Sequence, residues 1–231
     1  DITKRLCSPS VDHWLGCDIY GGDILSSILY GAQTTIYISF TTLGITAAFG
    51  TFIGLVAGYF RGYYETISMR IVDILMAFPG ILLALALTAL LGPSTNNIII
   101  AISITGWTSF ARLCRAQSLK ISQQDFVQGA RAIGCSNATI LFKYIFPNIV
   151  SILLVIATFN LSGIILIEAS LSFLGLGAQG GAESWGALLN QGRAVLIEAP
   201  HLSIIPGLLL FTVIMAINFL GDALRDFYAI D

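Results

Sequence analysis

Glu168 is an acidic residue inside an apolar run that extends from about Ile149 to Leu174. An ionised carboxyl at the centre of a membrane helix costs about 2.5–3.5 kcal/mol on insertion scales, so it turns toward protein, a partner or water. Two roles fit: a pathway or gate residue, or an anchor hydrogen-bonded to a neighbouring helix. Its place near one end of the run favours the anchor. Asn160, Ser162 and Asn218 are milder candidates for lining a path, and each also reads as an ordinary interhelical hydrogen bond. The chain presents no catalytic set. Neither His13 nor His201 lies in an apolar run, and Glu168 has no acidic companion there, so the convergent groups of an intramembrane hydrolase are missing. Cys7, Cys17, Cys114 and Cys135 lack metal-ligand spacing, and the two histidines are far apart in sequence, so no metal or other cofactor is expected. No Gly-x-x-x-x-Gly-Lys-Ser/Thr motif is present, which excludes ATP hydrolysis by that route.

The elements around these residues must be membrane helices. The chain is 56% hydrophobic and 10% charged, with a mean hydropathy of +0.85. A soluble domain carries roughly 25% charged residues, so this composition cannot cover a water-facing surface. No basic tract suggests nucleic acid. A span needs about 20 mostly apolar residues. Five stretches qualify, at about 34–59, 71–91, 97–111, 149–174 and 204–220, the third short. They form one all-α polytopic membrane domain over 33–222, flanked by an N-terminal segment, 1–32, and a tail, 223–231. No internal repeat is visible, which counts against a stand-alone secondary transporter.

Lys and Arg in short loops favour the cytoplasm. Arg61, Arg70, Arg112, Arg115, Lys120, Arg131, Lys143 and Arg225 fall on one side, and Lys4, Arg5 and Arg193 on the other. The N-terminus and the Gly175–His201 loop, with its flexible Gly175, Gly177, Gly180 and Gly181, are therefore expected outside and the C-terminus inside. A disulfide between Cys7 and Cys17 could form there, without a partner pattern to support it. Trp14, Trp107 and Trp185 are expected near the interfaces. Gly50, Gly54 and Gly58 form a small-residue stripe that lets a second helix approach. Arg70 and Asp73 could pair at i,i+3, and Pro79 frees a backbone carbonyl and could permit a bend.

The polar insert at 115–147 reads as helix, turn and helix. Ser122 followed by Asp125 resembles a capping box. Phe126, Val127, Ala130 and Ile133 make an apolar face, and Gly134 can stop the helix. Ser136 or Asn137 can cap a second helix, with Ile140, Leu141, Tyr144 and Ile145 as its apolar face. Pro147 ends that helix or begins the next span.

This insert resembles the cytoplasmic coupling loop of ABC-importer permeases, written there as Glu-Ala-Ala, three residues, Gly, nine residues, Ile-x-Leu-Pro. Here Gln128-Gly129-Ala130 precedes Gly134 by the same three residues, and nine more lead to Tyr144, with Pro147 closing the pattern. Gln128 stands in place of the usual Glu, Gly129 in place of Ala, and Tyr144 and Phe146 in place of Ile and Leu. Other blocks narrow the likeness to dipeptide and oligopeptide permeases of the shorter, second type. They are His13-Trp-Leu-Gly-Cys-Asp18 with Gly21-Gly-Asp23, Arg70-Ile-Val-Asp73, Ala77-Phe-Pro-Gly80, and Glu168-Ala-Ser-Leu-Ser-Phe-Leu-Gly-Leu-Gly177 with Ser184-Trp-Gly186.

The resemblance implies a type I ABC-importer transmembrane domain in a bacterial cytoplasmic (inner) membrane, with a first span preceding this chain. It implies a coupling loop in which Asp125, Gln128, Gly129, Ala130, Gly134, Ser136 and Pro147 take part. The implied partners are a second homologous permease in a heterodimer, two cytosolic ATPases and an external substrate-binding protein. The implied cargo is peptides, with nickel or a metallophore as the alternative.

Overall fold

The computed structural model describes residues 5–11, 13–177 and 183–228. Within them the chain is almost wholly helical: α1 Ile24–Phe60, α2 Gly62–Met76, α3 Gly80–Leu91, α4 Thr95–Ile121, α5 Asp125–Ala132, α6 Asn137–Thr139, α7 Phe146–Leu171, α8 Trp185–Arg193 and α9 His201–Phe227. π-Helical stretches, Ile140–Ile145 and Ser172–Leu176, flank α7. Gly180 and Gly181 lie outside the described residues. Among the described residues four helices are long and apolar enough to cross a membrane, or five if the bent pair α2–α3 counts as one span.

The spans depart from the expected limits where polar residues find tertiary partners. α4 is expected to end near Ala111 but continues to Ile121. Its polar continuation is satisfied by other helices. Arg112 Nη2 donates to Asp73 across 2.7 Å, Arg115 Nε to Glu65 across 2.8 Å, and Ser118 Oγ to the Leu55 carbonyl across 3.1 Å. Asp73 is thus paired with Arg112 and not with Arg70. The second stretch is not one straight helix from Ile71. α2 and α3 meet at an 84° bend around Pro79, where proline cannot donate to a helical ladder. Pro147 breaks nothing. A helix runs from Asn137 to Leu176, and the π-helical stretch just before Pro147 re-spaces the ladder its ring would otherwise disrupt. Asn148 Nδ2 donates to the Tyr144 carbonyl at 2.7 Å, satisfying an acceptor beside the proline.

The chain falls into two compact units. The first comprises Asp1–Thr42, Ala84–Ile102 and Leu161–Ile217, and the second Leu43–Leu83, Ser103–Asn160 and Asn218–Asp231.

In the second unit the glycine stripe sets how closely two helices approach. A Cβ at Gly50 would strike the Trp107 carbonyl and Phe110. One at Gly54 would strike the Ala111 carbonyl and Cys114, and one at Gly58 the Arg115 carbonyl and Ser118. Each step of four on α1 meets a step of four on α4, so the backbones touch without intervening side chains. Trp107 is buried here, packed edge-on against Phe49 at 5.1 Å.

In the first unit Trp185 is also buried, its Nε1 donating to the Ile28 carbonyl at 3.1 Å, whereas Trp14 is exposed. The outward faces carry large apolar side chains, among them Phe40, Phe52, Leu208, Phe211 and Phe219. Helices in lipid satisfy their own backbone and can present such a surface.

Candidate functional site: the polar insert and the buried carboxylate

The insert begins where α4 ends. Ser122 does not cap α5. Its Oγ donates to the Leu119 carbonyl at 2.9 Å, and its N–H remains in the α4 ladder through Ser118. Gln124 takes the N-cap position in extended conformation, without a side-chain bond. Asp125, exposed in the first turn, complements the helix dipole. Gln128 Nε2 donates to the Ser122 carbonyl at 2.9 Å and so satisfies an acceptor that the end of α4 leaves open.

α5 ends in a Schellman motif. The Gly134 N–H bonds to the Arg131 carbonyl and the Cys135 N–H to the Ala130 carbonyl, both at 3.1 Å, with Gly134 at φ 83°. No atom lies within 4 Å of a Cβ built on Gly134, so glycine is required there by backbone conformation and not by space. Ser136 then caps α6, accepting from the Thr139 N–H at 3.2 Å. Of the two expected caps, Ser136 is the one used. Asn137 instead accepts from Tyr59 Oη at 2.8 Å, and the Arg131 guanidinium lies 5.4 Å from the Tyr59 ring centroid. Tyr59, near the end of α1, holds both sides of the turn. Sequence patterns offered no signal for that grip.

The apolar face of α5 divides. Val127 and Ala130 are buried in a cluster with Leu55, Tyr59, Cys114, Ile121, Ile140, Leu141, Ile145 and Ile149. Phe126 and Ile133, expected on the same face, are 44% and 79% exposed. They stand on the outer side of the insert, beside exposed Asp125, Gln128 and Gly129. Gly129 has nothing within 4 Å of a built Cβ, so alanine would fit in its place.

In the first unit Glu168 is wholly buried. Its carboxylate accepts from Ser172 Oγ at 2.8 Å and from Thr35 Oγ1 at 3.3 Å, and Thr35 Oγ1 accepts from the Trp185 N–H at 3.4 Å. One carboxylate therefore joins α1, α7 and the start of α8, where Ser184 Oγ caps the helix by accepting from Ala187 N–H. Gly186 packs directly on the Ala169 backbone beside it. The signal that could have found Thr35 is a buried hydroxyl stripe on α1 at helical spacing: Thr35, Ser39, Thr42 and Thr46. Ser162 is buried in the same unit. In the second unit Asn160 donates to the Ile156 carbonyl and accepts from Ser109 Oγ at 3.1 Å, and Asn218 is half-buried.

A polar cleft of about 450 Å³ in the second unit is lined by Glu65, Met69, Arg70, Asp73, Arg112 and Arg115. Its two ion pairs fasten α2 to α4.

In the N-terminal segment Cys7 and Cys17 form a disulfide. Asp23 precedes α1, and its Oδ2 accepts from Ser26 N–H and Ser26 Oγ, each at 2.9 Å. The Ser26 N–H bond is the main reason its carboxyl sits below the ordinary value. Contact with His13, whose Nδ1 lies 3.1 Å away, adds to this, and slight burial opposes it.

The comparisons fit this architecture. Residues 50–229 match the family described as "Binding-protein-dependent transport system inner membrane component". The chain is 48% identical over 218 residues to the glutathione transport system permease protein GsiD of Escherichia coli O1:K1 / APEC, covering 94% of this chain and 72% of that protein. The Shigella boydii serotype 4 GsiD is 47% identical over the same coverage. Among solved structures, an inward-facing MetNI methionine ABC transporter superposes with a TM-score of 0.71 at 20% identity, covering 88% of this chain and 97% of that one. An amino acid ABC transporter solved with histidines gives 0.63 at 16%, covering 88% and 92%. Helical architecture, the insert's spacing and these matches agree: the chain belongs to the binding-protein-dependent transport system inner membrane components, a multi-pass transport subunit of ABC importers and not an enzyme.

Proposed function

We propose that this chain forms half of the translocation path of an importer for small peptides, a class that includes glutathione-type tripeptides, beside a second, homologous permease in a heterodimer. The observation that carries the reading is the construction of the insert. α5, the Gly134 turn and α6 are anchored on one side in a buried cluster and held by Tyr59, while Phe126 and Ile133 project from the other. A short helix with a fixed base and an exposed apolar face is suited to seat in a groove of a cytosolic ATPase. Two ATPases, one per permease, would close on ATP and displace the loops as rigid bodies, alternating access. Asp125, Gln128, Gly129 and Ile133 form the docking face, and Ala130, Gly134, Ser136 and Pro147 hold its shape.

In this reading the N-terminal segment and the 175–201 loop face outward to a substrate-binding protein, and the C-terminus faces the cytoplasm. The lysine and arginine distribution and the Cys7–Cys17 disulfide support that orientation. Glu168 acts as an internal anchor, since Thr35 and Ser172 already engage both its oxygens.

Affinity purification of the tagged chain in mild detergent tests the assembly. Recovery of a second permease with two Walker-motif ATPases is expected, and uptake of a labelled tripeptide by vesicles of that complex tests the cargo. Recovery of the chain alone, monodisperse and stable, would overturn the assembly. Uptake of nickel or a metal chelate in place of peptide would overturn the cargo.

A further inference from the structure

The N-terminal segment gathers soft donors at one point. A ring nitrogen of His13 and the sulfurs of Cys7 and Cys17 all lie within 4.8 Å of one another. His13 Nδ1 faces the Asp23 carboxylate at 3.1 Å, and His13 Nε2 is buried without a hydrogen-bond partner among the described residues. An imidazole with one nitrogen on a carboxylate and the other unpartnered has the orientation of a metal-ligating histidine. His201 Nε2 is likewise buried and unpartnered. A Cβ built on Gly16, the residue before Cys17, would lie 3.0 Å from it, so a second imidazole reaches the same loop.

The sulfurs are brought together by backbone, not by their bond alone. The Cys17 N–H donates to the Cys7 carbonyl at 3.0 Å, and Leu6 N–H to the Asp18 carbonyl at 3.1 Å. Cys17 pairs with Asp23 in an antiparallel bridge, and Gly16 N–H donates to the His13 carbonyl at 2.9 Å. Asp18 Oδ1 accepts from Tyr20 N–H and Gly22 N–H at 2.8 and 2.7 Å. None of these bonds depends on the sulfur–sulfur bond itself, so the loop has the means to hold the two thiols apposed once the disulfide is opened.

We propose that the segment is a redox-gated binding site for a zinc-type divalent ion. In the disulfide state the sulfurs are bonded to each other and the site is closed. A dithiol reductant transfers two electrons and two protons to the disulfide, giving two cysteine thiols and the reductant's own cyclic disulfide. The ion then displaces one proton from each thiol and takes both thiolates and His13 Nε2, while the proton on His13 Nδ1 is donated to the Asp23 carboxylate. Two sulfurs with one or two imidazoles match the tetrahedral preference of zinc, with bonds of about 2.3 Å to sulfur and about 2.0 Å to nitrogen. Metal and disulfide exclude one another, so the segment reports the thiol state of its surroundings through its occupancy.

The test uses the full chain in detergent, with Cys114 and Cys135 replaced by alanine so that only this pair remains. Co²⁺ is titrated into the oxidised protein, and into protein reduced with a dithiol and then freed of it. Reduced protein is expected to bind one Co²⁺ with a sulfur-to-cobalt charge-transfer band that Zn²⁺ bleaches, and oxidised protein to show no band. Asp23→Asn, which keeps an oxygen to cap α1, should weaken binding about 10–100-fold. His13→Ala, which leaves the disulfide intact, should weaken it at least as much. Absence of the band in reduced protein of unchanged helical circular dichroism would overturn the site, as would an unaltered affinity in His13→Ala.

Discussion

The side-chain amide of Gln128 donates to the backbone carbonyl of Ser122 across 2.9 Å, closing the corner between α4 and α5. This is the position at which the family's loop pattern ordinarily has glutamate. A carboxylate has no proton to give a carbonyl, so the corner in this chain is built on the amide.

Gln128→Glu should therefore loosen the corner. The lost bond and the repulsion between carboxylate and carbonyl should cost about 1 kcal/mol. Amide exchange across residues 122–128 is the readout, and faster exchange confined to that segment is expected. Unchanged exchange would mean that the amide contributes nothing.

Gly134→Ala should cost about 1–2 kcal/mol, because the residue sits at φ 83° with open space around it. Gly134→Asn should cost less, since asparagine tolerates that conformation. ATPase copurification and transport should fall in the same order, Gly, Asn, Ala. Equal behaviour of the two variants would contradict a purely conformational requirement.

Gly54 and Gly44 make a controlled pair on one helix. Gly54→Ala drives a methyl into the Ala111 carbonyl and Cys114, whereas Gly44 has nothing within 4 Å. Thermal unfolding in detergent should show a clear loss for Gly54→Ala. Gly44→Ala should leave stability unchanged or raise it by up to about 1 kcal/mol through helix propensity. Similar melting of both would refute the close α1–α4 approach.

Glu168→Ala removes the acceptor for both Thr35 and Ser172 at a fully buried site. A loss of about 2–4 kcal/mol is expected from unpartnered hydroxyls and the space left behind. Glu168→Gln, which keeps an acceptor oxygen, should lose less. An anchor role predicts reduced stability with an unaltered KM in the molecules that remain folded. A raised KM at unchanged stability would point to the path.

The Asp23 carboxyl is held below its ordinary value of 3.8, chiefly by the Ser26 N–H. A depressed carboxyl stabilises the folded segment at pH above 3.8, and that contribution is lost as pH falls through its lower folded-state value. Exchange of the Ser26 amide, expressed relative to its intrinsic rate at each pH, should rise in acid in the wild-type chain. Asp23→Asn should abolish that rise, and a rise persisting in the variant would assign it to another group.

Sequence patterns revealed the small-residue stripe, the Gly134 stop and the Ser136 cap, because each is a local rule acting over three or four residues. They missed groups whose partners no single local rule assigns, whether near or distant in sequence. Hydropathy ends the third span near Ala111, but Asp73 and Glu65 let α4 carry its arginines onward. Ser122 has capping-box spacing, yet Gln128 and Leu119 use its groups otherwise. The spacing of Cys7 and Cys17 holds no pairing information, since only the Asp18, Gly22 and Asp23 turn brings them together.

The unbroken passage through Pro147 has a mechanical consequence for the proposed coupling role. From Asn137 to Asn160 the chain is one rod about 36 Å long at 1.5 Å per residue. If the insert seats an ATPase as proposed, a push on it enters a shaft that has no break at Pro147, as by a crank without a universal joint. Any compliance in the stroke is concentrated in the six residues Ile140–Ile145, where the winding is loosest.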